Sequence, residues 1–197
     1  RRYFPRLLRR LRPDLAHFQH ALPLGWRGRA VVTIHDLHFE RDPEVMGRVD
    51  RLVFRTVVPR AARRADAVVA VSERTKEDVV ELYGVDPGRI AVTVHGVDPA
   101  FAPGGTGSGG YLLFVGAVQQ RKDPLAALEA ADAVGLPLVV AGPEKEPALA
   151  AQLRRGGADI RGFVAKPALA GLYREAAALL LLTRYEGFGL PVLEAMA

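Results

Sequence analysis

The stretch Thr183–Ala197, TRYEGFGLPVLEAMA, holds the residue types best suited to chemistry. Glu186 and Glu194 are separated by a glycine-rich turn, Gly187 to Gly189, and by Leu190 and Pro191, a proline placed to begin a helix. Ionised carboxylates accept hydrogen bonds from vicinal hydroxyls such as those of a ribose or a sugar, and glycines let a backbone approach a phosphate closely. The turn follows the apolar run Ala178–Leu182, so the segment reads as strand, turn, helix. In open parallel sheets ligands gather at the carboxyl ends of strands, where a helix start offers unpaired N–H groups to an anion.

A second segment, FVGAVQQRKDP, supplies the opposite charge. Strand Tyr111–Val115 runs into a turn at Gly116 and presents Arg121 and Lys122 before a helix that begins near Asp123 or Pro124. A bound pyrophosphate carries about two negative charges, and a unit pair at ~4 Å is worth ~4 kcal/mol at an effective dielectric near 20. Two cations therefore roughly neutralise it and remove the need for a divalent metal. The sequence has no Asp-x-Asp triplet and no histidine cluster at zinc spacing. His35, in TIHDL, ends a first-half strand; either it reaches a substrate or it is a turn residue stabilised by Asp36.

Short β-branched apolar runs that alternate with helical periodicity must position these residues, which is the pattern of an α/β chain with parallel sheets. The expected strands are Asp14–Phe18, Ala30–Ile34, Ala67–Val71 and Ile90–Val94, then Tyr111–Val115, Leu138–Ala141, Asp159–Phe163 and Ala178–Leu182. They form two groups of four, hence two domains: residues 1–98 and 111–197, joined by a Gly-rich linker at 99–110. The linker contains a G-x-G-x-x-G match at Gly105, Gly107 and Gly110. It precedes a strand instead of following one, so it is read as linker and not as a dinucleotide fingerprint. A helix over Arg48–Arg64 places Val49, Leu52, Val53 and Val57 on one face for packing, with a kink expected at Pro59. Ser72 is read as the N-cap of a helix that stops near Gly84, because no base stands at motif spacing to activate it.

Composition narrows the function classes. The 197 residues are 49% hydrophobic and 25% charged, as in a globular chain, and without Cys there is no disulfide, thiolate metal site or cysteine nucleophile. The longest apolar run, Ala176–Leu182, is far short of the ~20 residues of a membrane-spanning helix. The net charge of +5 has a local source, because six arginines fall within residues 1–12 and the remainder carries 21 basic against 22 acidic residues. No basic stripe is left for a phosphate backbone, so nucleic-acid binding is not expected. The segment Arg1–Arg12 sets Tyr3, Phe4, Leu7, Leu8 and Leu11 opposite arginines; it either packs on a core or makes peripheral contact with an anionic membrane.

Taken together, TIHDL, ADAVVAVSERTKEDV, HGVD, FVGAVQQRKDP and EGFGLPVLEAMA resemble glycosyltransferase family 4, also called group 1. The resemblance implies a GT-B fold of two facing Rossmann-like domains, donor held mainly by the second and acceptor by the first. It implies retaining transfer of a hexosyl group, such as mannosyl or glucosyl, from a nucleotide-diphosphate sugar to a hydroxyl of a glycan or lipid-linked acceptor, with no cofactor or metal. Arg121 and Lys122 then match the pair on the diphosphate beside Gly116, Glu194 the carboxylate on the ribose, and Val164 the contact to the base. Glu186 and His35 match the residues at the transferred sugar, and Phe188, Gly189 and Leu190 the turn whose amides meet sugar and phosphate. Two positions depart from the pattern: Ala117 stands where many members have Arg, and His95, read as structural, stands where Asn is common.

A glycosidase would also pair carboxylates but would not need the cations. A sugar-nucleotide epimerase of the same fold, or a non-catalytic nucleotide-sugar-binding fragment, fits the same residues. The resemblance implies further elements at both ends, so this length is expected to turn over weakly or not at all. A bacterial, cytoplasmic protein, peripheral at most to the inner face of the membrane, is the expected setting.

Overall fold

The structure is a computed structural model that describes residues 3–42, 46–104, 107 and 109–197. Its chain forms two compact units, Arg1–His95 with Glu186–Phe188, and Gly96–Tyr185 with Gly189–Ala197. Each is a helix-covered parallel sheet.

In the first unit, β1 (Leu15–Gln19), β2 (Arg29–Ile34), β3 (Ala67–Ala70) and β4 (Ile90–Val92) pair in parallel in that order. Helices α1 (Tyr3–Leu11), α2 (His38–Arg41), α3 (Arg48–Arg64) and α4 (Glu73–Tyr83) connect or flank them. Val32, Ile34, Val68 and Ala70 from the central strands meet Leu37, Phe39, Val58, Ala61, Ala62 and Val79 in one buried core. Central parallel strands are buried on both faces, and so they read as continuous apolar runs in the sequence. Helix α4 begins at Ser72, whose side chain accepts from Thr75 N–H, and ends at Gly84 in the left-handed region at φ 63°. All five histidines of the chain lie in this unit.

Helix α3 is continuous through Pro59, but its packed face is not the expected one. Val58, Ala61 and Ala62 enter the core, whereas Val49, Leu52 and Val53 are exposed. Small alanines let a helix approach its neighbours closely, and that stripe prevails over the larger valines on the other side. Of α1, Leu8 is buried and Leu11 exposed; Arg1, Arg2 and the side chains of Tyr3 and Phe4 lie outside the described residues.

The second unit orders its parallel strands β7 (Asp159–Gly162), β6 (Leu138–Ala141), β5 (Leu112–Val115) and β8 (Ala178–Leu179). Helices α5 (Pro124–Val134), α6 (Pro147–Arg155), α7 (Lys166–Glu175) and α8 (Leu190–Met196) complete it around Phe114, Val118, Ala127, Leu138, Val140 and Leu153. Strand β8 is shorter than its apolar run, because after Leu180 donates to Leu113 O the chain leaves the ladder. Residues 99–104 include Phe101, buried edge-on against Tyr173 of α7 at 5.5 Å. Gly105 lies outside the described residues, and Gly107 and Gly110 precede β5.

Candidate functional site

In the second unit, β5 ends at Val115 and the chain turns at Gly116, whose φ of 151° is a conformation that L side chains rarely adopt. One 3₁₀ turn, Gln120–Lys122, follows, and Asp123 at φ 48° caps α5 by accepting from Ala126 N–H at 3.3 Å. This turn brings Lys122 back over Gly116: a β-carbon at Gly116 would lie 2.8 Å from Lys122 Cδ and 3.2 Å from its Nζ. A β-carbon at Gly142, at the end of β6, would collide with Gly116 O. Two glycines thus let adjacent strand ends close up and leave room for an ammonium group. Arg121 Nη1 donates to Tyr185 O at 2.9 Å, and Thr183 Oγ1 donates to Arg121 O at 3.3 Å, which ties the turn to the segment after β8. Gly116, Arg121 and Lys122 are therefore brought together at the carboxyl ends of β5 and β8.

Gly189, at φ 87°, opens the short helix α8, where Leu190 is the first residue and Glu194 the fifth. Glu194 Oε2 accepts from the Tyr173 hydroxyl at 2.7 Å. Burial, first, and the adjacent carboxylate hold the Tyr173 phenol well above its ordinary range, so it remains a donor. The pair faces a concavity of about 300 Å³ with Phe101, Pro103, Arg174 and Met196. Val164 follows β7 and is half-buried.

In the first unit His35 directly follows β2, and its Nε2 lies 2.5 Å from Gln19 Oε1 at the end of β1. An amide oxygen only accepts, so the proton is on Nε2 and Nδ1 is left as an acceptor. The His20 ring is 5.3 Å away, and His95 stacks on His35 at 5.7 Å with planes 8° apart. Phe188 meets His95 edge-on at 5.1 Å, so His95 bridges His35 and Phe188. Burial first and His95 second push His35 below the ordinary histidine value, partly opposed by Asp36. His20 is lowered mainly by burial, and its Nδ1 is buried without a hydrogen-bond partner among the described residues. Asp36 Oδ1 is 2.7 Å from His38 Nδ1, so the turn reading of His35 finds its carboxylate engaged next door.

Gly187 is buried, and a β-carbon there would collide with His35 O. Its carbonyl accepts from Ser72 Oγ at 2.5 Å and Thr75 Oγ1 at 3.3 Å. Glu186 and Phe188, half-buried, flank it. Ser72 is thus the expected N-cap and also a holder of this turn, a second role that nothing local in the sequence signals. Gln19, Tyr173 and the His95 stack were likewise missed. Among the described residues no group of three or more His, Asp or Glu side chains is arranged to hold a metal ion, and no helix is long and apolar enough to cross a membrane.

The family model Glycosyltransferase Family 4 matches residues 1–101, and the model Glycosyl transferases group 1 matches 109–197. The chain is 32% identical to D-inositol 3-phosphate glycosyltransferase 2 of Catenulispora acidiphila, over 93% of this chain and 52% of that protein. It is 25% identical to the O-antigen chain mannosyltransferase B of Escherichia coli, over 86% of this chain and 51% of that one. It therefore spans about half the length of these relatives. Sucrose-phosphate synthase of Thermosynechococcus elongatus superposes with a TM-score of 0.78 at 17% identity, covering 98% of this chain and 56% of that one. The fold is that of the GT-B glycosyltransferases, as expected.

Proposed function

The chain belongs to glycosyltransferase family 4, and from that premise we propose that the protein transfers a hexosyl group from a nucleotide-diphosphate sugar to an acceptor hydroxyl with retention of configuration. The observation that carries this reading is the turn at the carboxyl end of β5, where Lys122 folds over Gly116 and Arg121 is fixed by Tyr185 O. In the proposal Arg121, Lys122 and the Gly116 backbone take the diphosphate, Glu194 the ribose and Val164 the base. Glu186, Phe188, Gly189, Leu190 and His35 attend the transferred sugar. Negative charge grows on the departing nucleoside diphosphate, and two preorganised cations stabilise it with little rearrangement. Such a scheme needs neither a metal nor a protein nucleophile.

Residues 1–98 serve the acceptor and 111–197 the donor, with 99–110 between them as linker. The name of the E. coli relative favours mannose as the sugar, and the inositol phosphate relative favours a polyol hydroxyl beside glycan or lipid-linked acceptors. The reading assigns the protein to a bacterial cytoplasm, with Arg1–Arg12 free to touch the membrane's inner face. Calorimetric titration with UDP, GDP and ADP, with and without magnesium, tests it. One nucleotide should bind independently of magnesium, and Lys122→Ala should weaken it roughly tenfold or more through loss of a charge-assisted bond. Equal affinity in wild type and Lys122→Ala would refute the site, and an epimerised donor without acceptor transfer would refute the reaction.

A further inference from the structure

The exposed side of α3 is the feature that neither the core nor the donor chemistry uses. Along it Val49, Leu52 and Val53 are 76%, 70% and 49% exposed, and the next turns carry Arg60, Arg63 and Arg64 on the same side. Beside the C-terminal half of the helix the turn Leu22–Gly25 shares a shallow depression with Val57, Arg60 and Arg64, and there Leu24 is 88% exposed. Scattered exposed aliphatics need no explanation, but four large ones gathered along one helix side do. They cannot be a core stripe, because Val58, Ala61 and Ala62 already fill that role on the opposite side.

Charge selects the occupant. Within α3 six arginines stand with a single acid, Asp50, and Arg60 and Arg64 form no ion pair among the described residues. A second copy of the helix would bring arginine against arginine if parallel and arginine against bare aliphatic if antiparallel, and a nucleic acid would leave the aliphatics uncovered. An anionic bilayer surface satisfies both kinds of side chain: the aliphatics enter the acyl boundary, and the guanidinium groups stay at the phosphates on stems that themselves lie in the interface. A helix of 17 residues is about 25 Å long, enough to lie in the interface plane. We propose that the outer side of α3, together with Leu24, docks the protein onto anionic lipid. This surface belongs to a different helix from the one within residues 1–12 and does not depend on the catalytic reading.

Co-sedimentation of the chain with vesicles of phosphatidylcholine, alone or mixed with phosphatidylglycerol, at low and high salt, tests the proposal. The chain should partition onto the mixed vesicles only, and salt should weaken it. Arg60→Gln with Arg64→Gln should lower the partition coefficient about 25-fold, at about fivefold per arginine. Val49→Glu with Leu52→Glu should abolish binding, with circular dichroism unchanged in both variants because every substituted side chain is exposed. Equal binding to neutral vesicles, or unchanged binding in both variants, would overturn the proposal. So would a vesicle-free dimer dissolved by Leu52→Glu, which would assign the surface to a second copy.

Discussion

Replacing Ser72 by Ala should destabilise the first unit by an amount that separates into two parts. Ser72 has extended backbone, at φ −155° and ψ 163°, and its hydroxyl accepts Thr75 N–H at 3.1 Å while donating to Gly187 O at 2.5 Å. Loss of the cap costs about 1 kcal/mol. The Gly187 carbonyl keeps the Thr75 hydroxyl at 3.3 Å as a second donor, so it loses about 1 kcal/mol of net hydrogen bonding and not the larger penalty of a wholly orphaned group. The expected total is about 2 kcal/mol. Glycine caps nearly as well as serine, so Ser72→Gly should cost only the carbonyl share, about 1 kcal/mol. Urea unfolding followed by fluorescence reads this unit selectively, because the sole tryptophan, Trp26, lies edge-on against Phe18 at 5.7 Å. Both variants within about 0.5 kcal/mol of wild type would refute the two-role account. Equal losses in the two would show that the cap contributes nothing.

Three further outcomes follow from the same unit. Gly187→Ala should cost roughly 1–3 kcal/mol by overpacking, since its β-carbon would strike His35 O and lie 3.0 Å from Asp36 Cβ; an unchanged Trp26 transition would show that the turn yields freely. Arg41 pairs with the fully buried Asp78 and with Glu81, so Arg41→Met should cost roughly 3 kcal/mol, and adding Asp78→Asn should recover part of it; no recovery would mean the loss is one of packing. His20 and His35 resist protonation when folded, so the unfolded chain takes up protons first as pH falls below 6.5. Stability of the first unit should therefore be complete above that pH and fall beneath it. His20→Asn, which suits the φ of 57° there, should flatten this slope, and a slope left unchanged would exonerate His20.

Much of the architecture was legible because buried parallel strands leave a strong mark: Val31 to Ile34 and Leu138 to Ala141 could scarcely be anything else. Ser72 and Gly84 marked the ends of α4 through local chemistry, which sequence carries faithfully. The orientation of α3 was misread because valine looks more buried than alanine on any scale, while close helix packing favours the smaller residue. Contacts between distant positions left no trace. Nothing near His95 announces a ring stack with His35, and Gly187 gives no hint that its carbonyl is held by residues more than a hundred positions earlier. The cation pair at Arg121 and Lys122 was visible as composition, but the fold of Lys122 over Gly116 was not, since it depends on a backbone angle that only the structure reveals.

The confinement of every histidine to the first unit divides the chain's response to acidification. Histidine is the only side chain whose ordinary titration falls between about pH 5 and 8. Over that interval the half bearing His35 gathers positive charge, while the half bearing Arg121 and Lys122 keeps the charge it had. Acidification would thus change the charge of the first unit through its histidines, a means of response that the second unit lacks.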